Sequence, residues 1–170
     1  INLIDTPGMG NFLGDARAAL RAADAALVVV DAVSGVQVST EKVWEAAAEG
    51  SLPRLVVVNR LDRERASITR ALESIHDHLG RTCVLIHLPI GEEKHFKGVI
   101  DLINMRAYTF APDDSGKTTE GEIPAELATA AAEAREVMLE AVAEADELVA
   151  NLKAAGYTPD KAALFAALPE

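Results

Sequence analysis

Cysteine occurs once in these 170 residues, at Cys83, so no internal disulfide can form and a reducing compartment is the natural setting. In its strand-like apolar run, Cys83 reads as a buried, inert thiol. Aromatic residues are scarce at 4%, and the one tryptophan, Trp44, reads as helix packing rather than a ligand platform. No apolar run approaches the roughly 20 residues of a membrane span. No basic segment leads into an apolar one as an export signal would. A cytoplasmic location without a membrane partner is therefore expected. Basic side chains are in deficit too: 16 Lys and Arg stand against 27 Asp and Glu, for a net charge of −11. That balance argues against a sequence-specific nucleic-acid grip. The deficit is uneven, 9 against 11 in residues 1–85 but 7 against 16 in 86–170. The second half must face water or meet a basic partner. Internal repeats are absent, and so is any G-x-x-x-x-G-K-[ST] stretch. His76 and His78 lie two apart on a predicted helix and point away from each other. His87 and His95 lack Cys or carboxylate partners at ligand spacing, so the histidines announce no metal site.

What is present has a clear order. Residues 1–5 read as a strand, 6–13 as a Gly-rich loop, and 15–23 as a helix with Ala16, Ala19, Leu20 and Ala23 on one face. Residues 25–31 and 54–59 are continuous apolar runs of the kind found in strands covered on both faces. Between them lies a helix ending at Glu49, with Ser39 or Thr40 as its cap. Another helix follows over 67–79. This alternation predicts a parallel α/β sheet with right-handed crossovers. Near residue 80 the texture changes. Residues 83–110 read as three short strands, 112–122 as a loop, 124–152 as a long Ala/Glu-rich helix, and 158–168 as a last helix opened by Thr158-Pro159. The expected division is 1–80 and 81–170.

In open α/β sheets, ligands bind outside the carboxyl ends of the strands. Here those ends carry Asp5-Thr-Pro-Gly8, Asp31 and Asn59-Arg-Leu-Asp62. An ionised Asp5 suits Mg²⁺ through a bound water. Gly8 lacks a Cβ, so its N–H can approach a terminal phosphate oxygen. Asn59 can donate and accept. Asp62 can accept two hydrogen bonds from adjacent donors, which guanine presents on N1 and N2 and adenine does not. D-x-x-G and N-R-x-D are weak signals singly. After consecutive buried strands, in this order and separation, they become a GTP site.

The stretches "INLIDTPG", "RAADAALVVVDAVSGV", "TEKVWEAAAEGSLPRLVVVNRLDR" and "LPIGEEKHFKGVIDLINMRAY" together resemble the translational GTPases, in particular elongation factor G and elongation-factor-G-like proteins. The likeness runs through essentially the whole chain. It implies a partial P-loop GTPase-type parallel sheet (1–80) carrying an inserted α+β subdomain (81–170). By motif, Asp5 would hold the Mg²⁺ water and Gly8 the γ-phosphate. Asn59 and Asp62 would bind guanine, with the Arg60 stem over the base. The activity implied is ribosome-dependent GTP hydrolysis, with GTP, GDP and Mg²⁺ as ligands of the parent protein.

The pattern breaks at Met9, where the family places a histidine beside the attacking water. Methionine has no donor and only a weak acceptor. A GTP-binding switch with little hydrolysis of its own is therefore the second reading. Lacking a phosphate loop, the chain reads as a piece from the middle of a G domain. It is not expected to hold GTP tightly by itself, and residues 1–5 are expected to lack a neighbouring strand. On the long helix, Leu127, Ala131, Ala134, Met138, Val142, Ala145, Val149 and Leu152 form an apolar stripe. Glu133, Glu136, Glu140, Glu144 and Glu147 lie opposite. The resemblance assigns 81–170 to the part that meets the ribosomal stalk protein, with Glu140 and Glu144 as the expected contacts.

Overall fold

The computed structural model describes residues 1–80, 83–111, 113 and 115–145. The expected helix over 158–168, together with Glu147, Val149 and Leu152, lies outside them. Two compact units are present, Ile1–Cys83 and Val84–Glu170.

The first unit is built around two parallel strands, β1 (Ala26–Asp31) and β2 (Arg54–Asn59), paired in register from Ala26↔Arg54 to Asp31↔Asn59. Helices α1 (Leu13–Leu20), α2 (Val38–Glu49) and α3 (Ile68–His78) complete it. Ala16 is buried on α1, and Ala19, Leu20 and Ala23 are half-buried, so the expected face holds although the helix lies earlier than 15–23. The cap of α2 is Gln37 rather than Ser39 or Thr40. Thr40 serves from inside the helix, its Oγ1 accepting from the Gln37 N–H at 3.3 Å. Ser67 caps α3 by accepting from the Arg70 N–H. Val30, Val36, Ile75 and Leu79 form the core, with Trp44, Val56, Val58 and Cys83 packed against it. Trp44 also carries the Arg54 guanidinium over its ring at 4.3 Å. Cys83 is half-buried, and burial pushes its thiol pKa up.

Two expectations need correction. Residues 1–5 form no strand: they are irregular and exposed, because no described strand pairs with them. The two apolar strands are not covered on both faces either. Ala26, Val28 and Val30 are buried, whereas Leu27, Val29, Leu55 and Val57 are exposed. Alternate side chains of a strand point to opposite faces, and the described elements of this unit cover only one.

The second unit is a four-stranded antiparallel sheet in the order β3 (His87–Ile90), β4 (Gly98–Asp101), β5 (Arg106–Phe110), β6 (Thr118–Gly121), followed by α4 (Ala128–Ala145). The first three strands are those expected. The fourth replaces part of the expected loop over 112–122. All four residues of β6 are exposed, so no apolar alternation marks it; its ladder with β5 makes it a strand. Ile90, Ile100, Leu102, Ala107, Ala131, Met138 and Leu139 form the core, joined at its edge by Leu127, Ala134 and Val142. The apolar stripe of the long helix therefore packs as its period requires, over the part that is described.

A turn organised by Asp101 links this sheet to α4. Asp101 Oδ1 accepts from the N–H groups of Ile103 (2.8 Å) and Asn104 (3.0 Å), and the Asn104 side-chain amide donates to Oδ2. Arg135 on α4 donates to the carbonyls of Leu102 and, at 2.8 Å, Ile103. Burial by itself raises the Asp101 carboxyl, but the Asn104 amide and the two backbone donors outweigh it and hold the pKa below its ordinary value. A lowered folded-state pKa adds stability above the ordinary carboxylate value, and this is lost as pH falls through the folded value. Asp101→Asn is thus expected to flatten the acid limb of the unit's pH–stability curve. It should cost about 1 kcal/mol at neutral pH, where a charge-assisted acceptor is lost. Chemical denaturation across pH checks this; an unchanged acid limb would contradict it.

Candidate nucleotide site at the strand ends

Parallel pairing in register sets Asp31 beside Asn59 at the carboxyl ends of β1 and β2. The two ends are stitched together beyond the sheet. The Ala32 N–H donates to the Asn59 carbonyl at 2.9 Å, and the Ser67 N–H to the Ala32 carbonyl at 3.3 Å. Leu61, 8% exposed, is the anchor of the Asn59–Asp62 loop. With that side chain inside, Asn59 and Asp62 on either side of it are exposed. Arg60 takes a left-handed φ of 64°. Its N–H donates to Asn59 Oδ1 at 2.8 Å, and its Nη1 donates to Asp31 Oδ2 at 3.1 Å. The Asp62 carboxylate makes no hydrogen bond or ion pair among the described residues.

Asp31 is the residue whose importance sequence reasoning missed. It was visible only as polar punctuation after an apolar run. In the structure, its Oδ1 accepts from the N–H groups of Val33 (2.8 Å) and Ser34 (2.9 Å). The Ser34 and Val33 donors, with a lesser contribution from Arg60, hold the Asp31 carboxyl below the usual range although burial opposes them. The turn closes at Gly35, whose N–H donates to the Asp31 carbonyl at 2.8 Å. Gly35 has φ +68°, and a Cβ there would lie 2.7 Å from Ser74 Oγ. That hydroxyl accepts from the Val36 N–H at 3.0 Å, tying the turn to α3.

The other candidates lie on a different segment of the chain. Asp5, Gly8 and Met9 are all on the exposed segment before α1. Met9 is 67% exposed, and its carbonyl accepts from the Phe12 N–H at 2.9 Å to start a single 3₁₀ turn. A Cβ on Gly8 would meet nothing within 4 Å, so packing within this chain does not require glycine there. No hydrogen bond or ion pair joins residues 1–9 to 59–62 among the described residues. The described residues hold no cluster of three or more His, Cys, Asp or Glu fit for a metal ion. His76 and His78 bond the carbonyls of Cys83 and Ser74, each at 2.8 Å. Glu133, Glu136 and Glu140 are exposed on α4, whereas the Glu144 side chain lies outside the description.

Polar side chains at the carboxyl ends of adjacent parallel strands are how open α/β sheets present a ligand site. The sequence profile of the elongation factor Tu GTP binding domain matches residues 1–163. A crystal structure of a protein from Thermus thermophilus superposes with a TM-score of 0.84 at 39% identity, over 96% of this chain and 24% of that one. The chain belongs to the translational GTPases, the family of the elongation factor Tu GTP-binding domain. No described helix is long and apolar enough to cross a membrane.

Proposed function

We propose that this chain is the part of an elongation-factor-G-like protein that reads the guanine base of GTP and carries the subdomain inserted after that site. One observation carries the base assignment: an exposed Asp62 carboxylate beside Asn59, on a loop pinned by Leu61 to the ends of two parallel strands. The donor set fits guanine. Asp62 has both oxygens open for the N1 and N2 donors, and Asn59 keeps its amide N–H₂ because its oxygen is occupied by the Arg60 N–H. The separate four-stranded unit following α3 supports the elongation-factor-G assignment over other translation factors. Asp5 would carry the Mg²⁺ water and Gly8 would face the γ-phosphate once the rest of the nucleotide cradle is in place. The ribosome is the partner, and the cytoplasm the setting, that this reading implies.

Whether the parent hydrolyses GTP quickly turns on Met9. Its thioether cannot orient water as a histidine does, which favours a slow intrinsic rate and a binding switch. Single-turnover GTP hydrolysis by the full-length protein, with and without ribosomes, tests both readings. Met9→His is expected to raise ribosome-stimulated turnover by about a hundredfold, the low end of what a positioned imidazole contributes. No change, or a wild type already fast, would show that another group positions the water.

The acidic face of α4 is proposed as the surface for the ribosomal stalk protein. Glutamates at i, i+4 repel by a few tenths of a kcal/mol, and a basic partner helix would relieve this and speed association at low salt. Reversing Glu140 and Glu144 to Lys should slow stalk-protein binding about tenfold at low salt, the lower end of electrostatic steering. Circular dichroism should stay unchanged. Equal association rates would leave the stripe a solvated face.

A further inference from the structure

The ion pair between Asp31 and Arg60 has no part in reading the base edge. Arg60 leaves β2 in the left-handed region, which side chains other than Gly, Asn and Asp seldom occupy. Three bonds hold it there: its N–H to Asn59 Oδ1, its carbonyl from the Arg63 N–H at 3.1 Å, and its Nη1 to Asp31 Oδ2. Asp31 is itself fixed before it meets the arginine. Two backbone N–H groups bind its Oδ1, which leaves Oδ2 for Arg60. The arginine therefore runs from the end of one strand to the end of its neighbour. Its side chain is 61% exposed, while that of the anchoring Asp31 is 27% exposed.

We propose that Asp31 is a positioning residue for the nucleobase: by anchoring the Arg60 guanidinium at the end of β1, it fixes the arginine stem across the two strand ends as a preformed wall for one face of the base. This rests on reading Asn59 and Asp62 as the guanine site. A free arginine has many rotamers, and ordering it on binding would weaken affinity. Held by Asp31, it is ordered before the nucleotide arrives. The same loop is held in register by the Ala32–Asn59 and Ser67–Ala32 bonds, so the wall and the edge-reading groups share one rigid base.

The test is release of a fluorescent GDP from the full-length protein. Asp31→Asn keeps an oxygen for the Val33 and Ser34 N–H groups but removes the charge that holds Arg60. GDP release should quicken about threefold to fivefold, the upper end for a part-exposed pair. Arg60→Ala should quicken release as well, and adding Asp31→Asn to it should change nothing further, since a coupled pair is non-additive. Near 1 M salt, where the screening length is about 3 Å, the gap between wild type and Asp31→Asn should narrow. Wild-type release from Asp31→Asn, or effects of the two substitutions that multiply, would overturn the proposal. If Asp31→Asn lowers the melting temperature, the double variant still decides, because a damaged turn would be felt equally with Arg60 absent. Asp62→Asn in the same assay separates the two levels. If it acts and Asp31→Asn does not, only the positioning role fails; if it has no effect, the guanine site fails and the positioning role with it.

Discussion

Asp62→Asn in the full-length protein is expected to lower GTP affinity by about two to four decades. The carboxylate would accept from guanine N1–H and N2–H, and hydrogen bonds to a charged partner are worth about 1.5–3 kcal/mol each. Two of them correspond to about 3–6 kcal/mol, and each 1.4 kcal/mol is tenfold in affinity. The asparagine amide would then turn a donor toward a donor. The same substitution should improve binding of xanthosine triphosphate, whose base carries an oxygen where guanine has its amino group. Stability should not move, because Asp62 is exposed. Competition binding with the two nucleotides, alongside a melting curve, checks all three. Unchanged GTP affinity would remove guanine from the site. A loss of both nucleotides with a lowered melting temperature would make Asp62 a structural residue.

Gly98→Ala is expected to destroy the fold of the second unit. Gly98 begins β4, between Ile90 on β3 and Thr109 on β5. A Cβ there would stand 2.0 Å from the Tyr108 carbonyl oxygen and 2.8 Å from the Thr109 Cα, both backbone atoms that cannot swing aside. Relief requires prising β4 from β5, and Ile100 two residues on is fully buried in the core. The loss should exceed about 4 kcal/mol, the range reserved for such backbone and core failures. Gly121→Ala on β6 is the control, since a Cβ there meets nothing within 4 Å. That change should stay within about 0.5 kcal/mol. Denaturation followed through the second unit distinguishes them, and equal midpoints would show that the β4–β5 approach is looser than its geometry.

Local signals carried much of this molecule. The apolar runs at 25–31 and 54–59, the helix over 67–79, the three strands within 83–110 and the apolar stripe of α4 were legible because each depends on neighbours in sequence. So were the polar groups at the strand ends, which stand out as punctuation after apolar runs. Whatever depends on a distant partner was not legible. Residues 1–5 have the composition of a strand and read as one, although a neighbouring strand is already expected to be missing; they are irregular because backbone hydrogen bonds need a neighbour and no described strand supplies one. Conversely, 118–121 looked like a loop and is a strand, because β5 supplies the partner that its polar side chains could not advertise. Continuous apolar runs in β1 and β2 established that these strands have two greasy faces; only the packed unit decided that one of them is covered. The same holds at the site. The sequence by itself determined that Asp31 and Asn59 end apolar strands. Only parallel pairing in register brought them side by side and turned Arg60 onto Asp31, because an ion pair across 29 residues is created by the sheet and not by the chain between.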